Sequence, residues 1–280
     1  MVTPDTGIVD GWAEAVLARH TRALARPEFL KAARALSVRY VERRSDLPRR
    51  SPIDSAGKRA AFAGLFAPLH FYTALGIAER LGIGDSGPID RVVDLGCGTG
   101  VSSAACAVAL DRAPGIEGVD QLGWSLAEAV WNWRALGVRG RTRRGDLVTA
   151  AERLAAQRNI GHGRTLVVLG WTVNELGSAG RARLLCAVRS LAADGTPALV
   201  IEPIGRGATP WWREWHDALL PHHVREDAWS IEPRLPAAVC EVDAAAGFRR
   251  EALTAKSLYV PAAAGSEPDP SPLKVGPGRA

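Results

Sequence analysis

A glycine-rich turn is the part of this chain whose residues most directly suggest chemistry. Residues 91–100 read RVVDLGCGTG, so a short apolar run leads into glycines at positions 96, 98 and 100. The apolar run is typical of a buried parallel strand, and the residues after Gly100 have a helical pattern. A strand, a glycine turn and a helix let the backbone approach a ligand closely, with the helix N-terminus directed at it. Such a turn could serve a nucleotide, a dinucleotide or no ligand.

The spacing of the glycines argues against a dinucleotide as the ligand of this turn. They read G-x-G-x-G with Asp94 two residues before the first, whereas a dinucleotide-binding turn reads G-x-G-x-x-G. The segment D-L-G-C-G-T-G closely resembles the first motif of class I S-adenosylmethionine-dependent methyltransferases. The resemblance implies that the three glycines form the turn under the cofactor. It also implies that Asp94 anchors this turn and approaches the amino end of the methionine portion.

Two further carboxylates follow at positions suited to the same cofactor. Asp120 ends a predicted strand twenty residues beyond Gly100, where a doubly wound sheet places the acid that binds ribose hydroxyls. Asp146 follows a third predicted strand, and the resemblance implies that it binds the adenine amino group. The residues expected to bind the cofactor are Asp94, Gly96, Cys97, Gly98, Gly100, Asp120, Gln121, Asp146, Leu147 and Trp171.

The candidate catalytic residues follow the fourth predicted strand, residues 165–170. Methyl transfer requires a nucleophile held in line with the carbon–sulfur bond and a route for any proton it loses. Asn174 could orient the nucleophile, and Glu175 could accept the proton or help to hold the cofactor. Trp171 could pack on the cofactor or close the core. The alternative for Asn174 and Glu175 is a helix start, with Asn174 as its N-cap.

His70 is a third catalytic candidate, in the segment that precedes the glycine turn. If the N-terminal helices cover the cofactor pocket, His70 could reach the acceptor or the methionine carboxylate. The alternative is that His70 is a neighbour of packed aromatic residues with no role in the reaction. Three tryptophans at positions 211, 212 and 215 have helical spacing, which favours a packing stripe over a stacking surface for bases.

The order of the predicted elements indicates the fold. Strands alternate with helical patterns from residue 91 onward, which predicts an α/β fold with a parallel sheet covered on both faces. We expect a Rossmann-like class I methyltransferase fold, with a central, mostly parallel sheet and an N-terminal helical domain. The expected boundaries are 1–84 for the helical domain or lid, 85–260 for the cofactor-binding domain and 261–280 for a disordered, proline-rich tail.

Composition and cysteine placement set the expected environment. The chain has 280 residues, a formal net charge of +5 and four scattered cysteines without a C-x-x-C pair. Disulfides and a metal site are therefore not expected, and a reducing cytoplasm is the predicted location. We expect no apolar run that approaches the length of a membrane span, and therefore no membrane partner.

Two basic segments suggest a nucleic-acid partner. One contains Arg43, Arg44, Arg49 and Arg50, and the other lies at residues 134–144, just before Asp146. Such segments could bind RNA phosphates, or they could form an ordinary arginine-rich, solvated surface.

A second resemblance bears on the acceptor. Residues 36–44, 57–62 and 67–72, together with Asn174-Glu175-Leu176, resemble methyltransferase-like proteins linked to assembly of the small ribosomal subunit, of the mitochondrial type. That group commonly carries cysteines for an iron–sulfur cluster, and this chain has no such set. The resemblance implies ribosomal RNA or the small subunit as partner. A small-molecule methyltransferase and a non-catalytic assembly factor that binds S-adenosylmethionine are the alternatives.

Overall fold

The computed structural model describes residues 6–22, 24–42, 53–85, 87–110, 114–157, 164–205, 207, 209–232 and 234–262. Helices precede the sheet, as the sequence predicts. They are α1 (Thr6–Thr21), α2 (Arg26–Glu42), α3 (Ala56–Ala61), a π-helical turn (Phe62–Phe66) and α4 (Ala67–Leu81). Within the described residues, the later helices are α5 (Val101–Ala109), α6 (Gly123–Ala135), α7 (Leu147–Ala156), α8 (Ser178–Ala193), α9 (Trp212–Leu219) and α10 (Ala237–Ala245).

A single seven-stranded sheet forms the centre of the described part of the chain. Its strands are β1 (Arg91–Leu95), β2 (Gly115–Asp120), β3 (Gly140–Arg144), β4 (Thr165–Gly170), β5 (Ala198–Glu202), β6 (Arg225–Ile231) and β7 (Leu253–Val260). Their order is β3-β2-β1-β4-β5-β7-β6. The first five run parallel, and β7 pairs antiparallel with both β5 and β6. The expected mostly parallel sheet is confirmed.

Alternate residues of each central strand face opposite layers of helices, as the two-residue period of a strand requires. Val92 belongs to a core cluster shared with α1, α2, α4, α5 and α6, whereas its neighbour Val93 belongs to a cluster shared with α7, α8 and α9. Leu166 and Val167 divide in the same way. Burial on both faces explains why these strands read as unbroken apolar runs, and it confirms that helices cover both faces.

The strand order places a crevice at the carboxyl end of β1. Successive strands lie on one side of β1 as β2 and β3, and on the other side as β4 and β5. The connections therefore leave the sheet in opposite directions at this point, and open α/β sheets bind ligands at such switch points. The glycine turn after β1 and the residues after β2, β4 and β5 all meet there.

One helical run corrects an expectation from the sequence. Residues Ala56–Leu81 form a 26-residue helical stretch that contains an 18-residue window with a mean hydropathy of 1.4. By length and composition this stretch could cross a membrane. In the structure, 78% of that window is buried inside the protein. The expectation that no apolar run reaches such a length is therefore wrong, because this segment is an apolar core helix packed between α5 and the other N-terminal elements.

The predicted boundaries at both ends keep the status of predictions. The N-terminal helices share their core cluster with the sheet, so the structure shows contact across residue 84. Residues 263–280, which contain most of the predicted disordered tail, lie outside the described residues.

Candidate functional site

A cavity of about 430 Å³ lies at the carboxyl end of the parallel strands. The glycine turn and the residues that follow β2, β4 and β5 form one part of its wall. The N-terminal helices and the segment before β7 form the other. Its size is in the range of small-molecule and cofactor sites.

Glycine suits the three positions of the turn for different physical reasons. All have positive φ angles, which favour glycine: +76° for Gly96, +51° for Gly98 and +73° for Gly100. A Cβ atom at Gly96 would lie 2.1 Å from Thr172 Oγ1, and one at Gly100 would lie 2.6 Å from Trp133 Nε1. A Cβ atom at Gly98 would meet nothing within 4 Å. Gly96 and Gly100 therefore permit close packing, whereas Gly98 leaves open space in the cavity wall.

Asp120 ties the second strand to this turn. Its carboxylate accepts hydrogen bonds from Gly98 N (2.9 Å), Leu122 N (2.8 Å) and Ser125 Oγ (3.3 Å). It also lines the cavity. A carboxylate has about four lone-pair sites, so Asp120 keeps acceptor capacity for a ligand hydroxyl.

Three more carboxyl groups have raised pKa values: Glu175 and Glu202 line the cavity, and Asp94 is buried in β1 and does not line it. Burial, reinforced by the charge of Asp120, raises the pKa of Asp94 to about 7 against the opposing effect of hydrogen bonds from Ser103. The cavity wall shields the carboxyl group of Glu175 from water, and this desolvation, with the charge of Asp120, raises its pKa to about 7. The residue as a whole is nevertheless exposed. Burial raises the pKa of Glu202 to about 8, and Glu175 adds to this rise. A cationic ligand would lower these pKa values, because a positive charge nearby stabilises the ionised form of a carboxyl group.

Asn174 has a different setting from the one the sequence suggests. It lies in a short 3₁₀ turn (Val173–Glu175), and the next helix, α8, begins at Ser178, so the alternative of Asn174 as a helix N-cap is wrong. Its Nδ2 donates to Glu202 Oε2 (2.6 Å), and its Oδ1 accepts from Trp211 Nε1 (3.0 Å). Both ends of the amide are thus engaged by the protein. The geometry makes Asn174 a residue that positions the loop beside Glu175.

Glu202 gives stability a predictable dependence on pH. Its side chain is fully buried, and the charges of Glu175 and Lys256 act on its pKa in opposite directions. Because its folded pKa of about 8 exceeds the ordinary glutamate value of 4.5, the folded state binds more protons between these values, and the free energy of unfolding falls as pH rises through that window. One such group contributes a slope of up to about 1.4 kcal/mol per pH unit.

We expect Glu202→Gln to flatten the fall in the free energy of unfolding between pH 5 and pH 8. Asp94 retains part of the slope, since its folded pKa is also raised. Urea unfolding at several pH values measures the slope. The exposed Glu79 provides a control, and Glu79→Gln should keep the wild-type slope. An unchanged slope in Glu202→Gln would show that Glu202 is ionised in the folded protein at neutral pH.

His70 and Trp171 form a stacked pair in the cavity wall. Their ring centroids lie 4.1 Å apart with an interplanar angle of 10°. Trp171 has a φ of +55°, which is rare for a bulky residue and marks a position held by its surroundings. Burial, with a contribution from the Arg250 charge, lowers the pKa of His70 to about 3. His70 is therefore neutral near pH 7, and its low basicity makes it a poor proton acceptor.

The residues predicted to contact adenine lie beside the cavity. Asp146 is the N-cap of α7 and accepts hydrogen bonds from Thr149 N (2.8 Å) and Gln121 Nε2 (3.1 Å). Leu147 packs under the turn, 3.0 Å from where a Cβ atom of Gly96 would lie. Among the described residues, Cys97 and Trp171 line the cavity, whereas Gln121, Asp146 and Leu147 do not. The adenine role of Asp146 stays a prediction.

The basic segments are only partly described. Arg43, Arg44, Arg49 and Arg50 lie outside the described residues. On the edge strand β3, Arg141 donates to Glu117 at 2.8 Å, and Arg91 donates to the same carboxylate at 2.8 Å. This local pairing reduces the positive potential available to RNA phosphates.

The tryptophan-rich segment is a packing stripe, as favoured above. Trp211, Trp212 and Trp215 are all buried in the core cluster on the α8 side of the sheet. Trp211 also fixes Asn174, as described above, which links this stripe to the loop after β4.

Several cavity residues were missed by sequence reasoning. Glu202 could have been chosen because it is a carboxylate directly after the apolar run of residues 198–201, which forms β5. Arg250, Phe62 and Phe66 carry no recognisable signal, because their approach to the cavity depends on how β7 and the N-terminal helices fold back over the sheet. Among the described residues, no group of three or more His, Cys, Asp and Glu side chains has the arrangement of a metal site.

No protein-family model and no curated protein sequence matches this chain. Solved structures do resemble it. An O-methyltransferase candidate from Nostoc punctiforme is 17% identical, with a TM-score of 0.49 over 84% of this chain and 72% of that one. A SAM-dependent methyltransferase from Agrobacterium tumefaciens is 14% identical, with a TM-score of 0.46 over 69% of this chain and 62% of that one. A precorrin 8w decarboxylase from Methanobacterium thermoautotrophicum is 16% identical, with a TM-score of 0.43 over 66% of this chain and 89% of that one.

The chain has the Rossmann-like fold expected from its first motif. The names of these structures include both methyltransferases and a decarboxylase, and a fold by itself does not fix a reaction. The function must be argued from the residues of the cavity.

Proposed function

We propose that this protein binds S-adenosylmethionine at the carboxyl end of its parallel strands and transfers the methyl group to an acceptor. One observation carries the proposal: the glycine turn and three carboxyl groups, those of Asp120, Glu175 and Glu202, line one cavity at the switch point of the sheet. When bound, the cofactor supplies an activated methyl group on a cationic sulfur.

The residues present fit such a cofactor. Gly98 leaves open space where any side chain would project, so the backbone of the turn is accessible to a ligand. Asp120 keeps acceptor capacity for ribose hydroxyls, as in other doubly wound sheets. Asp120 lines the cavity together with Glu175 and Glu202, whose raised pKa values a cation would lower, so this end of the cavity favours the positive charges of a sulfonium and an α-ammonium group.

Glu175 is the residue best placed to accept a proton from the acceptor. It lines the cavity, and its pKa of about 7 matches the value at which a general base works near neutral pH. The neutral, stacked His70 and the fully engaged Asn174 are less suited to that step. Asn174 instead fixes the loop that carries Glu175.

We further propose a small acceptor with an apolar, planar part. The cavity wall also contains the aromatic rings of Phe62, Phe66 and the His70–Trp171 pair. Planar aromatic walls stack well on flat ligands. Ribosomal RNA is the second candidate, supported by the basic segments but weakened by the pairing of Arg141 and Arg91 with Glu117.

Transfer of a labelled methyl group distinguishes these acceptors. The purified protein is incubated with methyl-labelled cofactor and either a small-metabolite extract or small-subunit RNA, at low and high salt. We expect label in the metabolite fraction with little dependence on salt. Label in RNA that falls steeply with salt, as counterion release requires, would favour the RNA acceptor. Tight cofactor binding with no label in either fraction would favour a non-catalytic assembly factor.

The pH profile of that transfer tests Glu175. We expect the rate to rise through about pH 7 as Glu175 loses its proton, and Glu175→Gln to remove this rise. Glu152→Gln is the matched control, because Glu152 lies on α7 and is paired with Arg183 outside the cavity. A Glu175→Gln enzyme with the wild-type profile would assign proton transfer to another group.

A further inference from the structure

A guanidinium group lines the cavity at a place that the proposed methyl transfer leaves without a role. Arg250 lies in the segment before β7 and is the one Arg or Lys residue that lines the cavity within the described part of the chain. Its side chain is 24% exposed. A charge held this far from bulk solvent, and open to a ligand cavity, requires an explanation.

The protein holds this guanidinium in a fixed orientation. Arg250 Nη1 donates to Asp243 Oδ1, and the Arg250 backbone N–H donates to Asp243 Oδ2 at 3.1 Å. Asp243 itself is buried, with 3% of its surface exposed. The guanidinium also packs over the ring of Phe248 at 4.4 Å and lies 5.6 Å from that of Phe66. A carboxylate and an aromatic face therefore fix it on two sides.

Part of the donor set of Arg250 stays available. A guanidinium has five N–H donors, and the bond to Asp243 engages Nη1 alone. Nε and Nη2 have no hydrogen-bond partner among the described residues. An arginine oriented in this way can bind a carboxylate through two parallel hydrogen bonds.

The position of Arg250 relates it to the acceptor. It lines the cavity together with His70 and lies 5.6 Å from the ring of Phe66, so it is beside the aromatic wall. The acids lie around the glycine turn and the ends of β2, β4 and β5. Asp120, Glu175 and Glu202 thus form an acidic part of the cavity lining that is suited to a cation, and the same lining holds aromatic rings and the guanidinium of Arg250.

We propose that Arg250 binds a carboxylate carried by the acceptor, whose planar part lies against Phe66 and Trp171. This inference rests on the proposed function, which places the cofactor at the acidic part of the cavity. The cofactor's own methionine carboxylate is the other source of such a group. Arg250 is then the residue that makes the enzyme prefer an acidic acceptor over its neutral counterpart.

The test uses a panel of planar aromatic carboxylic acids and their methyl esters as matched pairs. Binding is followed by tryptophan fluorescence, with and without saturating S-adenosylhomocysteine. For the pairs that bind best, we expect the acid to bind about tenfold more tightly than its ester, since a hydrogen bond to a charged group is worth about 1.5–3 kcal/mol. If no acid in the panel binds more tightly than its ester, the proposal is wrong.

Variants separate the role of Arg250 from a structural one. Arg250→Met combined with Asp243→Asn avoids a buried, unpaired carboxylate and should bring the acid-to-ester ratio close to one. Arg250→Lys should restore part of the preference. Affinity for S-adenosylmethionine should change less than twofold in both. A loss of cofactor affinity with an unchanged acid-to-ester ratio would instead place the methionine carboxylate on Arg250 and overturn the acceptor assignment.

The two proposals fail in different ways. A wild-type protein that binds no S-adenosylmethionine contradicts the proposed function. The acid-to-ester affinity ratio, measured without any adenosyl ligand, still tests whether Arg250 binds a carboxylate.

Discussion

Trp133→Ala is expected to lower the free energy of unfolding by about 3–5 kcal/mol, the usual cost of truncating a buried aromatic side chain. Trp133 lies on α6 with 1% of its surface exposed, and its Nε1 donates to Gly100 O at 2.7 Å. Its ring fills space left by glycines: a Cβ atom at Gly118 or Gly140 would lie 2.8 Å or 2.3 Å from it. The variant therefore loses packing and a hydrogen bond to the glycine turn together.

Trp131→Ala is the matched control for this effect. Trp131 lies two residues earlier on the same helix, is partly exposed and contacts the Arg19 guanidinium at 4.7 Å. We expect its removal to cost about 1 kcal/mol, because an exposed cation–π contact contributes about 0.5–1 kcal/mol. Urea unfolding of both variants gives the comparison. Equal costs for the two substitutions would mean that Trp133 does not support the turn as described.

Asp120→Ala is expected to weaken binding of S-adenosylmethionine by about 30-fold or more. Hydrogen bonds to a charged group are worth about 1.5–3 kcal/mol, and we expect the Asp120 carboxylate to accept from the ribose hydroxyls of the cofactor. The variant also removes the acceptor for Gly98 N, which loosens the turn. Both effects act in the same direction on cofactor affinity.

Calorimetric titration measures this change, and two controls define its cause. Asp120→Asn keeps one oxygen acceptor but removes the charge, so its affinity should lie between those of wild type and Asp120→Ala. Glu79→Ala changes an exposed acid on α4 and should bind like wild type. Wild-type affinity in Asp120→Ala would show that the ribose contacts another residue.

The parts of the site that the sequence predicts are those set by local pattern. A buried strand followed by a glycine turn can be predicted from the sequence, because both features depend on neighbouring residues. Asp120 is readable too, since a strand end and its distance from Gly100 place it in a doubly wound sheet. The structure brings both to one cavity.

The parts that could not be predicted depend on contacts between distant residues. The sequence makes Asn174 a candidate for orienting the nucleophile, but its amide is engaged by Glu202 and Trp211, which lie 28 and 37 residues away. Arg250 reaches the cavity because β7 runs antiparallel beside β5, an arrangement for which residues 225–260 give no local signal. The stack of His70 on Trp171 likewise requires α4 to pack over the loop after β4.

The most direct test of the central claim is calorimetric titration of the wild-type protein with S-adenosylmethionine. The account predicts saturable binding at one site per chain with a dissociation constant in the micromolar range. An absence of binding at millimolar cofactor, by protein that unfolds cooperatively and is therefore folded, would contradict it. The cavity would then serve a different ligand, and the methyltransferase proposal would be withdrawn.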